Sequence, residues 1–202
     1  MTENTNTLIH KYMQREISAM QYIEAHTDRA QYTGLVDRIQ CLHGHLIFMG
    51  VGKTGHIGAK LAATFASLGT PSFFVHATES MHGDMGMITK ADMVILISNS
   101  GETKETLAPL PALHHIGAYT VAFTGKAQSS LARSCDAVLT IPVADEADDL
   151  GLAPTNSSTA ALMVGDALAC TVSRLKGFTK TDFAGFHPGG ALGQKLLQGQ
   201  TL

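Results

Sequence analysis

The sequence predicts an alternating α/β fold built on a five-stranded parallel sheet. Three observations lead to it. Short, mainly apolar runs of strand length recur at 46–49, 72–75, 93–97, 119–124 and 137–141. Segments with helical spacing separate them, and strands that alternate with helices pair in parallel through right-handed crossovers. Met93-Val94-Ile95-Leu96-Ile97 is apolar without interruption, as a strand covered on both faces requires.

Taken in order, Ile9, Met13, Ile17 and Met20 recur at helical spacing and predict an amphipathic helix over residues 7–26. Leu35, Val36, Ile39 and Leu42 predict a second helix after Asp28. Such a helical arm either packs on a neighbouring subunit or covers the sheet. Leu46 to Met49 is the first strand; it runs into Gly50-Val51-Gly52-Lys53-Thr54-Gly55 and a helix reaching about Leu68. Gly69-Thr70-Pro71 ends that helix, and Ser72 to Val75 is the second strand. Residues 76–90 read as a loop with short helical potential. The third strand, 93–97, leads to a helix over 103–115, the fourth strand at 119–124, a short helix at 129–133 and the fifth strand, which Pro142 ends. An acidic loop with Asp145, Glu146, Asp148 and Asp149 precedes a long helix over 156–175, apolar on most faces and therefore expected to be buried in the domain or between subunits. Asp166 within it calls for a buried partner or a subunit contact. A short helix near 179–183 follows. The division is an N-terminal helical arm (1–43), a sheet core (44–142) and C-terminal helices (143–202) of one domain, a three-layer sandwich of flavodoxin-like or Rossmann-like type.

The 202 residues suffice for one domain with a large core, and 45% hydrophobic against 15% charged residues argues against disorder. A net charge of −3, from 14 basic and 17 acidic side chains, gives no support for a nucleic-acid or polybasic membrane surface. Met1 to Asn6 is polar without a basic-then-apolar signal, and no apolar stretch is long enough to span a bilayer, so a soluble cytoplasmic protein is expected. Cys41, Cys135 and Cys170 are odd in number and widely spaced in apolar contexts. They read as reduced core residues, not as a disulfide frame or a zinc site.

Chemistry concentrates at the carboxyl ends of the predicted strands, where ligands bind in open α/β sheets. Ser98, Asn99, Ser100, Gly101 and Thr103 put three hydroxyls, an amide and a glycine between the third strand and the next helix. Hydroxyls and free backbone N–H groups at a helix start suit a phosphate; a plain turn needs only one cap. Gly50 to Gly55 has the G-x-G-x-x-G spacing of a dinucleotide turn, but the nearest acid after the second strand is Glu79, a loose fit. A P-loop needs a glycine where Ile47 stands. What remains is a glycine turn that brings Lys53 and Thr54 to a ligand. His82 and His187 both lie beside glycines and are natural proton carriers. Glu105 and Glu146 are carboxylates at the same sheet edge. Thr155, Ser157, Ser158 and Thr159 form a second hydroxyl cluster, in which one should cap the long helix and the others could donate to a ligand. One phosphate cradle, one lysine, two carboxylates and two histidines suit proton transfer on a small sugar phosphate.

Several of these segments together resemble the sugar isomerase (SIS) domain family, in its arabinose 5-phosphate isomerase branch of Gram-negative bacteria. The resemblance rests on Gly52-Lys53-Thr54-Gly55-His56-Ile57-Gly58, Thr70 to His76, His82-Gly83-Asp84, Ser98 to Glu102, Gly151 to Thr155 and His187-Pro188-Gly189-Gly190-Ala191-Leu192-Gly193. It implies a single SIS domain that converts D-ribulose 5-phosphate to D-arabinose 5-phosphate, the first step toward Kdo for lipopolysaccharide or capsule. By resemblance, Lys53, His82, Glu105, Glu146 and His187 belong to the active site, while Thr54 and the Ser98–Thr103 loop hold the phosphate. It also implies a homotetramer with sites completed across subunits. Familiar members continue into a pair of CBS modules, whereas this chain ends at Leu202, so CBS regulation is expected to be absent.

The expected mechanism moves a proton between two carbons through a cis-enediol, with Glu146 or Glu105 as base, Lys53 stabilising oxygen charge, and His187 and His82 opening the ring or exchanging hydroxyl protons. No cofactor or metal is required, although His82 and His187 could trap an inhibitory zinc. Two readings compete: a sugar-phosphate sensor without turnover, and a nicotinamide-dependent oxidoreductase resting on the glycine spacing alone. A different sugar-phosphate substrate is a smaller variation.

Overall fold

The computed structural model describes residues 4–189. Helix α1 (Thr5–His26) opens on Asn4, whose side chain accepts the Asn6 N–H, and α2 (Arg29–Gln40) opens on Asp28, which accepts from Ala30 and Gln31. The strands are β1 (Leu46–Gly50), β2 (Ser72–His76), β3 (Met93–Ile97), β4 (Tyr119–Thr124) and β5 (Ala137–Thr140). Between them run α3 (Gly52–Ser67), α4 (Ala77–Ser80), a 3-10 turn (Asp84–Met87), α5 (Lys104–Leu107), α6 (Leu110–Ile116) and α7 (Ser130–Ser134); α8 (Asn156–Leu175) and α9 (Lys180–Phe186) follow.

All strand pairs are parallel, in the order β2-β1-β3-β4-β5. Strand residues alternate between two cores, as the pleat demands. Leu46, Phe48, Met93, Ile95, Val121 and Phe123 pack under α2, α3 and α8, with Ile23 of α1. Ile47, Met49, Val94, Leu96 and Ala122 pack under Leu110 and Leu113 of α6 and Leu131 of α7. This is the expected three-layer sandwich. The chain leaves β1 for one face of the sheet and β3 for the other, so the loops after these adjacent strands diverge and open a crevice between them.

Four expectations need correction. The helix expected over 103–115 is two pieces, α5 and α6, because Pro109 has no N–H to continue the ladder. Asp166 has a partner, but not a buried one: Lys60 Nζ reaches both its carboxylate oxygens at 2.5 Å on the partly exposed outer side of α3 and α8. Those helices meet where Gly165 lies against Leu61, leaving no room for a side chain at 165. The cysteines are free, yet Cys41 and Cys170 are exposed and are not core residues; Cys135, half-buried, packs against the second core. No hydroxyl of the Thr155–Thr159 cluster caps α8, as described below. Among the described residues no helix is long and apolar enough to cross a membrane.

Two carboxylates secure the opposite, amino-terminal edge of the sheet. Asp92, 2% exposed, accepts the His45 and Thr89 N–H groups, both at 2.6 Å, and the Thr89 hydroxyl at 2.9 Å. Asp136 accepts from the Thr120 N–H and hydroxyl. Burial raises both carboxyls, but these donors outweigh it and hold both below the usual carboxylate range. A depressed folded-state pKa contributes stability above the unfolded-state value and loses it as pH falls through the folded-state value. Thermal unfolding midpoints are therefore expected to hold between about pH 7 and 5 and to drop below about pH 4. Asp92→Asn should remove about 2 kcal/mol near neutrality and flatten that acid limb. An acid limb equally steep in both proteins overturns the assignment.

Candidate active site

The crevice holds a cavity of about 490 Å³ lined by Lys53, Thr54, Ser98, Asn99, Ser100, Thr103, Lys126, Asp145, Glu146 and Ser157, among others. That volume suits a small phosphorylated metabolite. A larger cavity, about 860 Å³, lies between α1 and the 142–151 segment. The two share Val143 to Glu146 and Gly151, but the larger one touches neither Lys53 nor the 98–103 loop. The smaller is the one in which Lys53, Thr54 and the 98–103 loop meet Glu146.

The 98–103 loop is internally braced. Ser98 is buried; its hydroxyl bonds Thr103 Oγ1 at 3.0 Å and accepts the Gly101 N–H at 3.1 Å. Ser100 Oγ accepts the Glu102 N–H. Glu102 faces away from the loop to accept the Ser130 N–H at 2.8 Å, a bond that holds its carboxyl below the usual range. Gly101 has φ +66° and its carbonyl accepts from Leu131 N–H of α7. Since α5 is a single turn, an anion held here would meet the loop's hydroxyls and N–H groups, not a long helix dipole. Thr54 is similarly occupied on one side, its hydroxyl donating to Val51 O at 2.9 Å.

Glu146 is fixed by α8. Its Oε2 accepts the Thr155 N–H at 2.8 Å, the Ser157 N–H at 3.1 Å and the Thr155 hydroxyl at 3.2 Å. A carboxylate from the preceding loop thus satisfies helix-start N–H groups that a local cap would otherwise take. The hydroxyls expected there turn elsewhere: Ser158 donates to Pro154 O and Thr155 O, and Thr159 to Glu16. Glu146 Oε1 makes no hydrogen bond among the described residues. The neighbouring acids are also committed. Asp148 accepts N–H bonds from Leu150, Leu152 and Ala153. Asp149 is held well below the usual carboxylate range by hydrogen bonds from Tyr12 (2.6 Å), Lys11 and Arg15. Arg15 also donates to Ala147 O at 2.8 Å, so α1 pins the backbone next to Glu146.

Of the expected site residues, one chain brings together Lys53, Thr54, Ser98, Asn99, Ser100, Thr103 and Glu146, with Gly101 at the loop's bend. It leaves out Glu105, exposed on α5, and His82, exposed after α4. It also leaves out His187, which ends α9 with its Nδ1 2.8 Å from Phe183 O and its ring stacked on Phe183. Gly190 to Gly193 of the His187 motif lie outside the described residues. Among the described residues no group of three or more His, Cys, Asp or Glu is placed to hold a metal ion. At the position where a dinucleotide fold carries its ribose-binding acid stands His76, whose ring accepts the Thr78 N–H. Lys126 was not legible as a site residue. It belongs to no motif, and its only signal is its place just after the fourth strand.

The family description "SIS domain" matches residues 39–171. Arabinose 5-phosphate isomerase KdsD of Shigella flexneri is 56% identical over 154 residues, which cover 76% of this chain and 47% of that protein. Arabinose 5-phosphate isomerase KpsF of Escherichia coli is 44% identical over 191 residues, 95% of this chain and 60% of that one. The chain thus spans about half the length of these curated relatives. Among solved structures, c3406 of E. coli CFT073 in complex with arabinose 5-phosphate superposes with a TM-score of 0.88 at 52% identity, covering 92% of this chain and all of that one.

Proposed function

The chain belongs to the SIS domain family, and from that premise we propose that it interconverts D-ribulose 5-phosphate and D-arabinose 5-phosphate, supplying Kdo synthesis for lipopolysaccharide or capsule. One observation carries the reading: a single cavity gathers a hydroxyl and N–H loop, a lysine and an oriented carboxylate. The 98–103 loop and Thr54 hold the phosphate, whose binding energy fixes the open-chain sugar. Glu146 Oε1 removes the proton from C1 of the ketose. The electron pair forms the C1–C2 double bond of the enediolate, and the negative charge on O2 is stabilised by Lys53. The O1 hydroxyl proton passes to O2, which leaves the charge on O1; the C1–O1 double bond then forms as the aldehyde while Glu146 returns the carbon-bound proton to C2. No cofactor enters these steps. O5 is esterified, so ring opening is needed only from the aldose.

Glu105, His82 and His187 enter this scheme through a homotetramer, in which a neighbouring subunit completes each site. The exposed apolar stripe Ile9, Met13 and Ile17 on α1 supports such an assembly, since large apolar side chains at i, i+4 and i+8 are seldom left in water.

The test is a panel of pentose and hexose phosphates, assayed with protein whose native mass has been read by light scattering. Formation of arabinose 5-phosphate from ribulose 5-phosphate by a four-chain species is expected. Tight binding of a sugar phosphate without turnover would convert the reading to a sensor, and a monomer with full activity would remove the shared site.

A further inference from the structure

We infer that Lys126 is the second cation of this cavity and binds the phosphomonoester end of the ligand, leaving Lys53 for the sugar oxygens; this rests on the sugar-phosphate reading above. Lys126 lines the same cavity as Asn99 and Ser100. The turn that carries it is fastened to the phosphate loop. Asn99 O accepts the Gly125 N–H at 3.0 Å and the Thr124 hydroxyl at 3.2 Å, and Thr124 Oγ1 in turn accepts the Lys126 N–H at 3.2 Å. Gly125 has no space for a side chain, since a Cβ would lie 2.5 Å from Asn99 Oδ1. The end of β4 and the 98–103 loop therefore form one unit, and Lys126 projects from it.

Charge supplies the second argument. A phosphomonoester carries about −1.5 to −2 near neutrality. The loop hydroxyls of Ser98 and Thr103 already bond each other, and α5 is too short to add much dipole. A single lysine leaves most of a unit of negative charge unbalanced next to the carboxylates of Asp145 and Glu146. Among the described residues the Lys126 ammonium has no ion pair or hydrogen bond, whereas Lys60 and Arg15 are paired with Asp166 and Asp149. A flexible point charge at the rim suits a terminal phosphate better than a reacting carbon, which needs fixed geometry.

Lys126→Gln and Lys126→Arg are to be compared with the parent protein by calorimetric titration with inorganic phosphate, a pentose 5-phosphate and the unphosphorylated pentose, and by steady-state kinetics. Lys126→Gln is expected to raise Kd and KM for the 5-phosphate by about 10- to 100-fold with kcat changed less than about twofold, the pattern of a lost uniform-binding contact. Lys126→Arg should recover most of the affinity, and binding should weaken less with added salt in Lys126→Gln than in the parent protein. If the parent protein binds the 5-phosphate and Lys126→Gln binds it equally well, the role of Lys126 is overturned while the cavity reading stands. A fall in kcat at unchanged KM also overturns it. If the parent protein binds neither the 5-phosphate nor inorganic phosphate, both fall together. A parent protein that binds without turnover leaves the Kd comparison to decide.

Discussion

Glu146→Gln is expected to lower kcat by about a hundredfold or more with little change in KM or in thermal unfolding. The glutamine keeps an oxygen for the Thr155 and Ser157 N–H groups, so the start of α8 stays satisfied while the carboxylate is lost. Glu146→Ala removes that acceptor as well and should also destabilise by about 0.5–2 kcal/mol, as lost helix caps do. The pair of variants separates chemistry from folding. Glu105→Gln gives the comparison for the second expected carboxylate, which one chain leaves outside the cavity. If Glu146→Gln retains parent turnover and Glu105→Gln does not, the base is Glu105, reaching the site from a neighbouring subunit. If both variants retain it, no glutamate of this pair moves the carbon-bound proton, and the proposed mechanism fails.

Gly101→Ala should be the most damaging small substitution in the 98–103 loop. An L side chain at φ +66° costs about 1–2 kcal/mol in backbone strain alone. The new Cβ would also overlap Ser129 Oγ and Cβ. Ser129 caps α7 by accepting the Ala132 N–H, so pushing it away uncaps that helix and displaces the loop. Overpacking of this kind adds about 1–3 kcal/mol. The sum is about 2–5 kcal/mol, which lowers Tm by roughly 5–15 °C in a chain of this size, and KM for a sugar phosphate should rise at temperatures where the variant is folded. Gly52→Ala is the control: its φ is +54°, but nothing lies within 4 Å of the added Cβ. Only the strain remains there, so a Tm loss at Gly52 equal to that at Gly101 would show that the Ser129 contact carries no weight.

Much of this molecule was readable along the chain. The β3 and β4 limits and the span of α8 match the periodicity, because side-chain alternation and helical spacing are set by local backbone geometry. The departures have local causes too, as where Pro109 divides α5 from α6. The position of the 98–103 loop at a sheet edge followed from an apolar run that stops at Ser98. The glycine turn with Lys53 was legible for the same reason.

Local patterning along the chain supplied the inventory: which runs are strands, which segments are helices, and which loops carry hydroxyls, lysines and acids. The company those groups keep came from packing in three dimensions. Strand order made the loops after β1 and β3 neighbours. It fastened the turn carrying Lys126, a residue in no motif, to the backbone of Asn99 through Thr124 and Gly125. It also made Glu146 the cap of α8 while its acidic neighbours were taken up by Tyr12, Arg15 and loop N–H groups. These are bonds between residues far apart in the chain or hidden in a uniform acidic run. No local period encodes them, since they arise only when the sheet assembles and buried donors find acceptors.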